Sequence, residues 1–190
     1  MKNPEQGNAG QTEKEAGTRM PVKSLVIVFS CHHRNTEKIA NAIAQVLDAP
    51  VKTPQQVSPE ELAGYDLVGF GSGIYGAKNH GSLLDLAGNL PFADGRNAFI
   101  FSTYGAPADL YTGERLREFV KDNHAALREK LQSRGYKVVG EFACAGLNTN
   151  SFLRFFGGLN KGRPDEKDLR HAEEFAENLK RHDNSEKEII

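Results

Sequence analysis

Residues 23–29 form a continuous apolar run rich in β-branched side chains, the pattern of a strand covered on both faces in a parallel sheet. Over 36–48, Ile39, Ile43 and Leu47 recur every four residues with Ala40 and Ala44 beside them, which predicts an amphipathic helix. Val51 sits in a brief extended piece between Pro50 and Pro54. Ser58-Pro59-Glu60-Glu61 then opens a short helix, with a capping serine, a proline at the first position and an acid three residues on. The alternation repeats three times, with strands predicted over 65–71, 97–103 and 136–142. Helices are predicted near 82–90, 112–134 and 165–180. The fourth helix carries Leu116, Phe119, Val120, Leu127 and Leu131 on one side and stops at Gly135.

Five strands alternating with five helices define an α/β fold. Parallel strands need right-handed crossover helices, which cover both faces of the sheet in a three-layer sandwich. One domain over 21–182 accounts for the pattern, between a polar tail at 1–20, expected to be disordered, and a polar tail at 183–190. Residues 1–20 contain no apolar stretch, so they read as neither signal peptide nor membrane anchor.

Composition narrows the partners. The 190 residues carry 24 Lys plus Arg against 25 Asp plus Glu, a formal net charge of −1. Without a basic field or a Lys/Arg-rich run, nucleic-acid binding and membrane insertion are not expected. Cys31 and Cys144 show no zinc or disulfide spacing, so a reducing, cytoplasmic setting is the default.

In open α/β sheets the ligand lies beyond the carboxyl ends of the strands, which directs attention to three loops. The first, Ser30-Cys31-His32-His33-Arg34-Asn35-Thr36, brings hydroxyl, amide and N–H groups to a helix N-terminus, where orphan donors and the dipole favour an anion such as a phosphate. The alternative is that Asn35 or Thr36 merely caps the helix. The second, Gly71-Ser72-Gly73-Ile74-Tyr75-Gly76, has the glycine spacing of a dinucleotide fingerprint. That fingerprint belongs on the first strand, however, and bulky Ile74 and Tyr75 suit an apolar platform better than a close backbone approach to pyrophosphate. Tyr75 read simply is an exposed loop aromatic. The third is Phe101-Ser102-Thr103-Tyr104-Gly105-Ala106. Adjacent Cys31, His32 and His33 point in different directions and do not suit one tetrahedral metal ion. Cys144 reads as a small buried hydrophobe, and His80, His124, His171 and His182 join no constellation.

Three such loops in this order, together with the run Tyr65-Asp66-Leu67-Val68-Gly69-Phe70 leading into the second, resemble the flavodoxin family over about residues 22–180. The resemblance implies a five-stranded parallel sheet in the order 2-1-3-4-5 and FMN bound without a covalent link. Its phosphate would lie in the first loop, with Ser30, His32, His33, Arg34, Asn35 and Thr36, and its ring between two further loops. Ser72, Gly73, Ile74, Tyr75 and Gly76 match the second of these, and Thr103, Tyr104 and Gly105 the third. Tyr75 matches a stacking aromatic, while Tyr104 and Tyr111 compete for the other face. In that order the strands carrying Cys31 and Cys144 stand on the order of 14 Å apart at about 4.8 Å per strand, beyond the reach of a disulfide.

The function implied is electron transfer to a redox partner protein or a small-molecule electron acceptor. An FMN-dependent NAD(P)H:quinone-type reductase is the alternative enzyme, and a flavin-free ligand-binding or interaction module with the same fold is the alternative from another class. The stretch 143–164 is too long for a simple connection and is expected to be functional. Phe152, Phe155 and Phe156 would shield a ring or a partner surface, and Arg154, Lys161 and Arg163 would meet an acidic partner or a nucleotide phosphate, unless the stretch is only a short core helix with solvated charges.

Overall fold

Strand β1 (Ser24–Phe29) sends Leu25 and Ile27 to one face of the sheet and Val26 and Val28 to the other, all fully or almost fully buried. The structure, a computed structural model, describes residues 22–186. The N-terminal tail expected over 1–20 lies outside them. After β1 come α1 (Asn35–Leu47), the two-residue β2 (Val51–Lys52), a 3₁₀ segment capped by Ser58, β3 (Leu67–Tyr75), β4 (Lys78–Asn79) and α2 (Gly81–Gly88). Then follow β5 (Asn97–Tyr104), α3 (Gly113–Asn123), α4 (Ala125–Ser133), β6 (Lys137–Ala145) and α5 (Glu166–Glu186). Helix α5 continues past the 165–180 given by periodicity, into the first residues of the expected polar C-terminal tail; 187–190 lie outside the described range.

The sheet runs β2-β1-β3-β5-β6 with every neighbouring pair parallel. This is the expected 2-1-3-4-5 order, with β4 added as an antiparallel flap on β3. Helices α1 and α5 cover one face through Ile39, Ile43, Ala172 and Ala176. Helices α2 and α4 cover the other through Leu83, Leu86, Leu127 and Leu131.

Two expectations are corrected. Strand β3 does not stop at Gly71 but runs through to Tyr75, so the supposed second loop is mostly strand. Gly76 and Ala77, at φ 56° and 61°, then form a two-residue turn into β4, and positive φ at both positions is what a type I′ hairpin requires. The helix predicted over 112–134 is broken at His124. His124 is completely buried rather than a surface residue, with Nε2 2.8 Å from Ser102 Oγ and Nδ1 3.1 Å from Glu141 Oε2. The break lets α3 lay Leu116, Phe119 and Val120 against the Tyr104 end of one sheet face while α4 turns Leu127 and Leu131 into the core farther along that same face.

The close pairing of β3 with β5 has a specific cause. Gly69 and Gly71 pair with Phe99 and Phe101, and a Cβ on either glycine would stand 2.2 or 2.1 Å from the facing ring. Both phenylalanines are completely buried. The missing side chains are therefore the space in which the rings lie. Gly69→Ala is expected to destabilise the fold by about 1–3 kcal/mol through overpacking, measured as a lowered urea midpoint.

Glu141 lies beside His124 and Arg128, accepting from Arg128 Nε at 2.5 Å and Nη2 at 2.8 Å. Burial pushes its carboxyl up, but the hydrogen bonds from Arg128 and His124 outweigh this and hold it down at about 2. A carboxylate depressed in the folded state stabilises above its ordinary 4.5, and that contribution is lost as pH falls from there toward about 2. Equilibrium unfolding from pH 7 to pH 2 is expected to lose at most about 3 kcal/mol through this group, and Glu141→Gln should flatten that part of the profile.

Candidate functional site

The carboxyl ends of β1, β3, β5 and β6 meet beside the start of α1. Helix α1 begins after two left-handed residues, His33 and Arg34 at φ 56° and 54°, and no side chain caps it. The first N–H groups of a helix lack intrahelical acceptors. The capping alternative for Asn35 and Thr36 is not realised, because both lie inside the first turn and reach across to other elements. Thr36 Oγ1 is 2.7 Å from Thr103 Oγ1, and Asn35 Nδ2 donates to Leu147 O at 2.9 Å. Asn35 Oδ1 is buried with no partner.

A cavity of about 140 Å³ opens here. From the first loop it is lined by Ser30, His32, His33, Asn35 and Thr36; from β3 by Gly73, Ile74 and Tyr75; and from the end of β5 by Thr103, Tyr104 and Gly105. Three residues expected at the site do not line it. Arg34 turns its guanidinium onto Glu37, with Nε 2.7 Å from Oε2 and Nη2 on Oε1, which holds the Glu37 carboxyl below its usual range. Ser72 is buried and accepts from His80 N at 2.9 Å and Asn79 Nδ2 at 3.3 Å, so its hydroxyl ties the flap to β3. Gly76 is the hairpin tip.

Sequence reasoning also missed a fourth wall, residues 146–150 after β6. The sequence signal for it is the polar run Asn148-Thr149-Asn150 within an overlong connection. His80 was missed too: its ring stacks on Phe29 at 3.7 Å, meets Tyr75 edge-on at 5.3 Å, and accepts from Ser82 N at the start of α2.

Two side-chain contacts close the mouth. Cys31 Sγ lies 3.2 Å from the Tyr75 hydroxyl, and His33 Nε2 2.7 Å from Thr149 Oγ1. Burial, followed by the Cys31 contact, pushes the Tyr75 phenol up. Of the two competing tyrosines only Tyr104 borders the cavity; Tyr111 lies behind it in a ring trio with Phe119. Burial first, and then nearby Cys144, raise the Tyr104 phenol to about 12.

Asparagines clamp the long segment. Asn148 Nδ2 donates to Gly105 O at 2.9 Å; Asn160 Nδ2 donates to Ala106 O at 2.8 Å and Gly146 O at 3.2 Å, and its Oδ1 accepts from Ala108 N at 3.0 Å. Phe152, Phe155 and Phe156 are 65%, 74% and 74% exposed, so none is core. Arg154 lies over the Phe155 ring, and Arg163 pairs with Asp165 and Asp168 through its two terminal nitrogens.

The donor set fits the phosphate and sugar-alcohol end of a flavin nucleotide: uncapped helix N–H groups, two hydroxyls and one orphaned buried acceptor converge. Ligand pockets for drug-sized molecules start near about 300 Å³, so at about 140 Å³ the cavity is smaller than a whole flavin nucleotide needs.

A profile of the flavodoxin domain matches residues 26–109. A protein of Methanocaldococcus jannaschii, described only as uncharacterised, is 42% identical over 159 residues, covering 83% of this chain and 98% of its own. The chain belongs to the flavodoxin family. Flavodoxin 1 of Bacillus cereus superposes with a TM-score of 0.57 at 20% identity, covering 84% of this chain and 99% of its own. The rubredoxin oxygen:oxidoreductase of Desulfovibrio gigas has the same fold in part of its chain, with a TM-score of 0.53 at 14% identity over 85% of this chain and 36% of its own. Among the described residues no helix is long and apolar enough to cross a membrane.

Asn160→Ala removes three hydrogen bonds, two holding the long segment against the β5 loop and one to Gly146 O within the segment. It is expected to cost about 1.5–3 kcal/mol and to speed amide exchange of 146–160 selectively, read by hydrogen-exchange mass spectrometry.

Proposed function

We propose that this chain binds FMN at the carboxyl end of its sheet and transfers electrons through it. The observation that carries the reading is the uncapped start of α1 beside the buried, unpartnered Asn35 Oδ1, within a cavity walled by segments following β1, β5 and β6. Membership of the flavodoxin family supports the cofactor class. When bound, FMN supplies the one- or two-electron chemistry.

The side chains do the rest. The first N–H groups of α1 and the helix dipole bind the phosphate, with the hydroxyls of Ser30, Thr36 and Thr103 as neighbours. Asn35 Oδ1 accepts from a sugar-alcohol hydroxyl. Gly73, Ile74 and Tyr75 on one side, and Tyr104 and Gly105 on the other, hold the ring and exclude water. Glu37 neutralises Arg34, so Arg34 adds no free charge to the first loop. The free thiols of Cys31 and Cys144 fit a reducing, cytoplasmic setting. The exposed phenylalanines lie on the segment that also walls the cavity, which supports a partner approaching from this end.

Thr36→Ala is expected to weaken FMN binding by about tenfold while changing riboflavin binding much less, because riboflavin lacks the phosphate, whereas Asn35→Ala is expected to weaken both ligands, because both carry the sugar-alcohol chain. Fluorescence titrations with both ligands test this, and equal losses in the Thr36 variant would move the phosphate elsewhere. Mixing the FMN-loaded protein with NADH or NADPH in a stopped-flow instrument separates carrier from reductase by rapid bleaching.

A further inference from the structure

A second, larger cavity of about 820 Å³ lies between α3, the open edge of β6 and the start of α5. It falls within the usual range for small-molecule sites, roughly 300–1,000 Å³. Its apolar lining includes Tyr104, Tyr111 and Leu116 on one side of the β6 edge and Phe142 on the other. Its charged lining comprises five permanent cations against three carboxylates. Two of those carboxylates are already held, Glu141 by Arg128 and Asp168 by Arg163. Arg117 and Lys121 from α3 therefore face Lys167 from α5 with only Asp109 in opposition, and Arg117 has only an exposed 3.3 Å pair with Glu114.

A further feature points to a missing acceptor: Arg163 Nε is buried in this wall with no hydrogen-bond partner. A buried donor left unpaired is costly. Beside it, β6 pairs only with β5, so the outer edge of β6 faces the cavity without a neighbouring strand.

We propose that this cavity binds a small planar aromatic anion. Its ring lies against Tyr104, Tyr111 and Leu116, and its acidic group lies among Lys121, Lys167 and the Arg163 donor. Tyr104 also borders the smaller cavity, so one side chain separates the two sites. The site is independent of which cofactor fills the smaller cavity.

Isothermal titration calorimetry of the full chain with naphthalene-2-sulfonate at low salt, with and without saturating FMN, tests the proposal. One equivalent is expected to bind in both conditions, and the uncharged 2-naphthol about tenfold more weakly. Lys121 and Lys167 are both exposed, so Lys121→Glu with Lys167→Glu leaves the fold intact. That double variant is expected to weaken the sulfonate by at least about tenfold and 2-naphthol by less than twofold. Phe155→Ser with Phe156→Ser should change neither. Absence of saturable binding, equal binding by the charge-reversed variant, loss in the phenylalanine variant, or displacement by FMN would each overturn the assignment. FMN binding is measured separately on the same samples, so a failed cofactor reading leaves this result legible.

Discussion

Two phenylalanine rings resting on two glycines hold the centre of this molecule together. Phe99 and Phe101 of β5 occupy the volume that side chains on Gly69 and Gly71 of β3 would fill. Burying a large apolar side chain contributes about 1.5–3 kcal/mol, and these two do so while fixing the register of the central strands. They also build the floor on which Ile39, Ile43 and Ala176 pack, so α1 and α5 owe their seats to the same contact. With α1 seated, its first turn stands beside the ends of β1, β3 and β5.

Polar groups then finish what the core begins. The four segments at that end hold one another through side-chain amides and hydroxyls, with Thr36 on Thr103, Asn35 on Leu147, Asn148 on Gly105 and Asn160 on Ala106. Buried polar groups are ordinarily satisfied, which is why the unpaired Asn35 Oδ1 and Arg163 Nε stand out, each at the wall of a cavity. Charge is handled the same way. Arg34 and Arg128 pair with Glu37 and Glu141, and Arg163 holds Asp168 through Nη2 while its Nε stays unpaired.

Most element types were legible from the chain because they rest on local signals, and the strand order followed from the resemblance to the flavodoxin family. Runs such as Leu25 to Val28 and stripes such as Ile39, Ile43 and Leu47 report burial on two faces or one, and a parallel sheet with crossover helices has few ways to assemble. Most of the residues expected near the flavin ring and phosphate also line the cavity, because loops after parallel strands all emerge at one end.

What the chain could not announce were contacts between residues far apart in sequence. The glycines at 71, 73 and 76 look alike in a spacing motif, yet one lies under Phe101, one under the ring of Tyr75 and one in a hairpin turn. His124 sits within an unbroken helical pattern, and only Ser102 and Glu141, brought alongside by two different strands, make it a buried bridge that breaks the helix. Residues 146–150 became a wall only when Asn148 clamped them to Gly105 of the β5 loop, 43 residues away. Hydrophobic periodicity is written residue by residue, whereas the pairing of a buried polar group depends on which strand arrives beside it.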